Sequence, residues 1–154
     1  MSKRSANPGH FILERHYDFA PAQVFAAWAN QEAKYRWFAC TEGWEVEEYS
    51  LDFRVGGREI CRGGPKGGAV HASDTIFWDI VPNERIIFSF DMHVGDARIP
   101  VSLTTVEFRP EGSGTLLIYG EQIIFLDGFD HPVEREQGTR EMLNSLDAEL
   151  RRAG

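Results

Sequence analysis

One acidic residue near the end of the chain combines a reactive group with an apolar setting. Glu121 follows Leu117 and Tyr119 at alternate positions of a predicted strand that spans residues 115–125. Alternate side chains of a strand lie on the same face, so we predict that these three point inward, toward the final helix. A carboxylate in such surroundings is a candidate general acid or base, or an anchor for a ligand. The alternative is a structural hydrogen bond to a neighbouring strand or to the final helix.

Glu59, His71 and Asp74 form a second set of chemical groups on two consecutive predicted strands. Adjacent strands could bring them together as an acid–base or metal-binding set, while exposure on the outer face explains the same residues. Cys40 and Cys61 fit no zinc spacing. The sequence also contains no Ser-His-Asp, Cys-His or nucleotide-binding signature. We therefore predict no metal and no cofactor, and Glu121 is the single catalytic candidate.

Aromatic side chains, which make up 12% of the residues, are numerous enough to line a pocket. Small-molecule sites are walled mainly by apolar and aromatic side chains with a few polar groups among them. Some of these side chains must also serve as plain core, and the sequence does not separate the two roles. The predicted ligand-binding residues are Trp37, Phe38, Trp78, Phe88, Phe90, Phe108, Tyr119, Glu121, Phe125, Phe129 and Met142.

Charge and composition exclude several classes of partner. The 24 acidic residues outnumber the 16 basic ones, for a net charge of −8, which argues against nucleic acid and anionic membrane surfaces as partners. No stretch approaches the roughly 18 consecutive apolar residues of a membrane span, and no apolar run follows the basic N-terminal residues. These features predict a cytoplasmic protein with a flexible tail at residues 1–8 and a single domain at residues 9–154. The sequence is compatible with either a monomer or a homodimer.

The elements that must position these residues are strands, apart from the final helix and two short ones. Met142, Leu143, Leu146 and Leu150 form one apolar stripe on a predicted helix of roughly 18 residues near the C-terminus. Two short helices follow the first strand, between Pro21 and Ala39. Short turns between the strands favour antiparallel pairing, so we predict an α+β fold. Its seven strands are predicted at residues 10–19, 44–53, 58–64, 70–81, 85–93, 101–109 and 115–125.

Eight short motifs follow one another between about residues 10 and 152. They are AP with VFAAW (20–28), RWF (36–38), DFRVGG (52–57), DIVPNERI (79–86), GTLL (114–117), EQ (121–122), DG (127–128) and EQGTR (136–140). In order and spacing they resemble the SRPBCC superfamily, also called START-like. The group they resemble most is named for the C-terminal domain of the heat-shock-protein-90 ATPase activator.

The resemblance implies a helix-grip fold, a curved antiparallel sheet wrapped around the long C-terminal helix. It also implies a cavity between sheet and helix that holds a hydrophobic or amphipathic small molecule. Our leading hypothesis is that the protein binds a hydrophobic or aromatic small molecule there. Members of the superfamily differ widely in function, and fold alone does not assign one. One alternative is a cyclase- or hydrolase-like enzyme that uses Glu121 as acid or base. The other is a module that stimulates a chaperone ATPase, which we expect less because that activator carries an additional N-terminal domain.

Overall fold

Seven strands form one antiparallel sheet that curves around a long C-terminal helix. The computed structural model describes residues 4–153. The strands are β1 (Ala6–Tyr17), β2 (Trp44–Leu51), β3 (Arg58–Pro65), β4 (His71–Val81), β5 (Arg85–Val94), β6 (Ala97–Glu111) and β7 (Gly114–Leu126). The helices are α1 (Pro21–Ala29), α2 (Gln31–Lys34), which continues into a π turn (Tyr35–Ala39), and α3 (Pro132–Ala153). Across the sheet the order is β1-β7-β6-β5-β4-β3-β2, which confirms the predicted α+β helix-grip architecture.

Two strands, β1 and β6, begin earlier in the chain than their apolar alternation predicts. β1 begins at Ala6 rather than at residue 10, and Ala6 pairs with Leu126 of β7. Residues 6–8, predicted as part of a flexible tail, therefore belong to the sheet, while residues 1–3 of that tail lie outside the described residues. β6 likewise begins at Ala97, four residues before the predicted start. Backbone pairing, rather than side-chain pattern, sets these boundaries.

Three irregularities in pairing accompany the curvature of the sheet. The register shifts between Val46 and Glu48 on β2. It shifts again between Phe77 and Asp79 on β4, and between Asp91 and His93 on β5. An extra residue bends the strand and increases its twist. The concave face that results is the one that α3 covers.

The second half of α3 is anchored on the concave face by its apolar stripe. Leu143 and Leu146 are fully buried, and Leu150 is only 5% exposed. The hydroxyl of Tyr17 on β1 donates to the backbone carbonyl of Leu143 at 2.8 Å. The first half of the helix has fewer such contacts, because its buried residue before Leu143 is Thr139. The helix is therefore held more firmly at its C-terminal half.

An ion pair joins α3 to the π turn. Glu149 is 7% exposed, and both of its carboxylate oxygens accept from Arg36, with Nη2 to Oε2 at 2.8 Å. Arg152 adds a contact at 3.2 Å. The hydrogen bonds from Arg36 hold the pKa of Glu149 below its usual value, because they and the charge of Arg152 outweigh the effect of burial. A carboxyl group with a lowered pKa stabilises the fold above its unfolded pKa.

We expect Glu149→Gln to lower the free energy of unfolding by about 1 kcal/mol at neutral pH, a modest value because Arg36 is partly exposed. The difference from wild type should shrink as the pH falls through the lowered pKa, since protonation removes the same interaction from the wild-type protein. Urea denaturation at a series of pH values measures this. Glu141→Gln, on the exposed side of α3, is the control and should show no such pH dependence. A difference that stays constant down to about pH 3 would contradict the prediction.

Candidate functional site

A partly enclosed cavity of about 90 Å³ lies between the concave face of the sheet and α3. Its walls combine five aromatic side chains, two methionines, a serine, a threonine and three charged side chains. The aromatic members come from α1, the π turn, β5 and β7, so the cavity sits where the short helices, the sheet and α3 converge. The lining residues are Trp28, Lys34, Phe38, Glu59, Ser73, Thr75, Phe88, Phe90, Met92, Tyr119, Arg135 and Met142.

The first polar feature of the cavity is a buried ion pair between α2 and β3. The Nζ atom of Lys34 lies 2.7 Å from Oε1 of Glu59, and the two side chains are 2% and 3% exposed. The hydroxyl of Tyr49 on β2 donates to the other oxygen of Glu59 at 2.6 Å. Burial, followed by the charge of Glu59, raises the pKa of Tyr49 well above its usual value. Tyr49 therefore stays protonated and remains a donor.

Four aromatic rings surround the ammonium group of Lys34. Its Nζ atom lies between 5.0 and 5.9 Å from the ring centres of Trp28, Phe38, Phe77 and Phe88. Cations are attracted to the faces of aromatic rings at such distances. Burying an unpaired charge costs a large desolvation free energy. For Lys34 this cost is offset by the attraction to the four rings and by the ion pair with Glu59.

The second polar feature joins β7 to the first turn of α3. Glu121 accepts from Nε of Arg135 at 2.9 Å and from its Nη2 at 3.0 Å. Ser102 on β6 donates to Glu121 at 2.8 Å, and the hydroxyl of Tyr119 lies 3.3 Å from its other oxygen. The guanidinium group of Arg135 also lies 5.2 Å from the ring centre of Phe90. Glu121 thus faces α3 as predicted, and its charge is matched by that of Arg135.

Two of the three partners of Glu121, Tyr119 and Arg135, have pKa values that its charge raises. Burial raises the pKa of Tyr119, and the neighbouring carboxylate adds to the increase. For Arg135, burial lowers the pKa, but the attraction of Glu121 outweighs burial and the pKa is raised. Tyr119 therefore stays neutral and Arg135 stays charged, so this cluster presents donors to its surroundings.

The predicted ligand-binding residues fall into three groups in the structure. Five of the eleven line the cavity, namely Phe38, Phe88, Phe90, Tyr119 and Met142. Four others are buried without lining it, namely Trp37, Phe108, Glu121 and Phe125. Glu121 lies behind its partner Arg135, which is the group that the cavity wall presents. The remaining two, Trp78 and Phe129, are exposed on the surface.

Trp78 and Phe129 require a correction, because neither side chain can contact a molecule in the cavity. Trp78 occupies the irregularity between Phe77 and Asp79 on β4, so Phe77 points inward while Trp78 is 57% exposed on the convex face. There its Nε1 donates to Ser89 at 2.8 Å. Phe129 follows the end of β7 in the connection to α3 and is 38% exposed. The sequence pattern did not reveal which side of the bulge faces the core.

The cavity contains residues that the sequence did not single out for it, above all Trp28, Lys34 and Arg135. Lysine and arginine are mostly exposed in proteins, so pattern alone gave no reason to place them inside. Glu59 was considered only as part of a set with His71 and Asp74, for which exposure on the outer face was the alternative. The one usable signal was the position of Lys34 between the aromatic residues of two short helices.

The set of Glu59, His71 and Asp74 does not come together. Glu59 faces the cavity, whereas Asp74 pairs with Arg58. His71 lies at the far end of β4, with its ring 4.6 Å from that of Trp44. Within residues 4–153, no group of three or more His, Cys, Asp or Glu side chains could hold a metal ion. In the same part of the chain, no helix is both long enough and apolar enough to cross a membrane.

Solved structures of high similarity come from two species of Rhizobium. A protein of uncharacterized function from Rhizobium leguminosarum is 44% identical to this chain, with a TM-score of 0.93, and the match covers 97% of this chain and 98% of that one. Mll3558 from Rhizobium loti is also 44% identical, with a TM-score of 0.88 and coverage of 94% and 99%. No curated protein matches the chain.

More distant structures share the fold. The AHSA1-like protein from Aeromonas hydrophila is 20% identical, with a TM-score of 0.73, and the match covers 95% of this chain and 94% of that one. The model of one protein family matches residues 18–151, a range that includes both ion pairs of the cavity. The chain therefore belongs to the family described as Activator of Hsp90 ATPase homolog 1-like protein.

Proposed function

We propose that the protein binds a small hydrophobic or aromatic molecule in the cavity between the sheet and α3. The observation that carries the proposal is the partly enclosed, aromatic-walled space of about 90 Å³ between the sheet and α3. Protein interiors are otherwise close-packed, with few voids larger than a water molecule. Rings such as Phe88 and Phe90 offer broad apolar surface to an aromatic ligand, and aromatic pairs gain more than area alone.

The charges of the cavity favour a neutral ligand. Lys34 is matched by Glu59, and Arg135 is matched by Glu121, so each charge already has a partner at 2.7 to 2.9 Å. An ionised ligand would have to break one of these pairs or bring an uncompensated charge into the interior. A neutral molecule leaves both pairs intact and replaces only apolar contacts and water.

Entry of a ligand larger than a single ring requires movement, and the first half of α3 is the element suited to it. Pro132, Val133 and Glu134 are exposed, and Arg135 ties the first turn to the sheet through Glu121. Gly138 follows in mid-helix, where a Cβ atom would meet nothing within 4 Å. Glycine lowers the stability of a helix interior, and packing does not require a glycine at this position. Gly138 therefore marks a point at which the first turns of α3 can move away from the sheet.

Ligand binding accounts for the site better than acid–base chemistry by Glu121. Both oxygens of Glu121 are engaged by Arg135, and Arg135, not Glu121, lines the cavity. A general acid or base must reach the proton that it transfers, directly or through one water. The family name refers to chaperone activation, but function is carried by sites rather than by folds, and the aromatic-walled cavity is a site suited to a small molecule.

The proposal is tested by filling the cavity. Ser73 lines it, whereas Ala72, one residue earlier on β4, does not. Ser73→Leu should abolish the binding of toluene measured by NMR titration, while Ala72→Leu adds the same side chain outside the cavity and should leave binding intact. Native mass spectrometry of the freshly purified wild type should also detect a bound small molecule that Ser73→Leu has lost. Equal toluene binding by both variants, or none by the wild type, would refute the proposal.

A further inference from the structure

We infer that the molecule in the cavity carries a hydrogen-bond acceptor, such as a ketone, aldehyde, quinone or ester carbonyl oxygen, to which the indole N–H of Trp28 donates. The inference rests on the proposed function and adds the chemical class of the ligand. It starts from a difference between two neighbouring tryptophans. Their ring centres are 4.9 Å apart, yet only one of the two indole N–H groups has a partner among the described residues.

Trp37 is the satisfied member of this pair. Its Nε1 donates to the backbone carbonyl of Ala27 at 2.9 Å, and its side chain does not line the cavity. Trp28 does line the cavity and is 2% exposed. Its Nε1 atom is buried and finds no acceptor anywhere in the described range 4–153. An indole N–H can only donate, and buried donors are rarely left without a partner.

The other polar groups of the wall also offer donors more than acceptors. The ammonium of Lys34 carries three N–H groups and lies 5.1 Å from the ring centre of Trp28. The strongest acceptor nearby is Glu59, but one of its oxygens is bonded to Lys34 and the other to Tyr49. A ligand that brings an acceptor therefore complements this end of the cavity, whereas an amine would meet a cation there.

Charge decides which acceptor fits. A carboxylate would satisfy Trp28 but would add a negative charge beside Glu59, whose charge Lys34 already balances. A carbonyl oxygen accepts the same hydrogen bond without net charge. Because the rings of Phe88 and Phe90 and the side chains of the two methionines form much of the remaining wall, the body of the ligand is hydrophobic. The geometry thus points to a neutral, carbonyl-bearing aromatic or unsaturated molecule.

A pair of probes of equal shape isolates the hydrogen bond. Acetophenone and α-methylstyrene differ in that a carbonyl oxygen of the first replaces a methylene group of the second. Their dissociation constants are measured by NMR titration of the wild type and of Trp28→Phe and Trp37→Phe. Desolvation of the carbonyl group weakens the binding of acetophenone by the same factor in all three proteins. We therefore compare the ratio of the two dissociation constants between the proteins.

We expect Trp28→Phe to shift this ratio against acetophenone by about fivefold, the value of one neutral hydrogen bond. Trp37→Phe removes an indole of the same kind, one that is already bonded to the protein, and should leave the ratio unchanged. An unchanged ratio in Trp28→Phe, with both probes still bound, would overturn the inference and leave the proposed function standing. Failure of both probes to bind the wild type would refute both.

A second measurement uses the wild type alone and does not depend on the folding of a variant. The ¹H–¹⁵N resonance of the Trp28 indole, assigned by standard triple-resonance methods, should move downfield when acetophenone is added, because its proton enters a hydrogen bond. It should not do so with α-methylstyrene, and the Trp37 indole should not move downfield with either probe. Equal shifts of Trp28 with both probes would overturn the inference.

Discussion

Replacing Lys34 by methionine will lower the free energy of unfolding by about 3–5 kcal/mol, as is typical when one partner of a buried ion pair is removed. Methionine matches the length of lysine and suits the surrounding aromatic rings, so little of the loss should come from packing. The cause is Glu59, whose side chain is 3% exposed and would keep only the Tyr49 hydroxyl as a donor. Chemical denaturation at neutral pH measures the loss.

Neutralising Glu59 as well should restore most of this stability. Glu59→Gln keeps an acceptor for Tyr49 while removing the charge, so the double variant Lys34→Met/Glu59→Gln contains no unpaired charge. We expect it to be more stable than Lys34→Met alone, a non-additivity that a double-mutant cycle measures directly. Lys66→Met, at an exposed lysine in the turn after β3, is the control and should change stability by less than about 0.5 kcal/mol. Strict additivity of the two changes would contradict the expected coupling.

The sequence predicted the fold well because two periodic signals were strong. The stripe of Leu143, Leu146 and Leu150 has helical spacing, and all three side chains are buried in the structure. Clean alternation on the last strand placed Tyr119 and Glu121 on the inner face, where the structure has them buried. Both signals report which face of an element is apolar, and the apolar face is what the core selects.

The contents of the cavity were harder to predict, because they depend on polar residues that break these patterns. Glu59 stands next to Ile60, so alternation favours the isoleucine as the inward residue, yet Glu59 is the buried one. Its burial is made favourable by Lys34, which is 25 residues away in the chain. A pairing between two charges on different elements has no periodicity, and composition gives no clue to it.

The prediction that Trp78 on β4 faces the cavity was wrong because β4 also departs from regular alternation. The bulge between Phe77 and Asp79 places one extra residue in the strand, which reverses the alternation at that point. Trp78 and Phe77 are both aromatic, so side-chain type alone does not reveal which of them faces the core. The pairing of β4 with β5, which only the structure shows, settles that Phe77 is inside.

The second ion pair of the cavity should respond unequally to the loss of its two partners. The side chain of Glu121 is 0% exposed, whereas that of Arg135 is 21% exposed at the first turn of α3. In Arg135→Met the carboxylate stays buried, with Ser102 and Tyr119 as its donors, and we expect a loss of about 3–5 kcal/mol in the free energy of unfolding. In Glu121→Gln the guanidinium can turn toward water and the amide oxygen still accepts, so the expected loss is about 1–2 kcal/mol.

The same asymmetry should appear in the motion of α3. Arg135 ties the first turn of the helix to β7, so Arg135→Met should accelerate amide hydrogen exchange up to about Gly138 while leaving the segment around Leu146 protected. Arg140→Met is the matched control, because Arg140 forms a surface pair with Glu136 on the same helix and should matter little. A larger loss for Glu121→Gln than for Arg135→Met would show that the buried carboxylate is not the costly partner. Faster exchange along the whole helix would mean that Arg135 supports α3 as a unit rather than closing the cavity at its first turns.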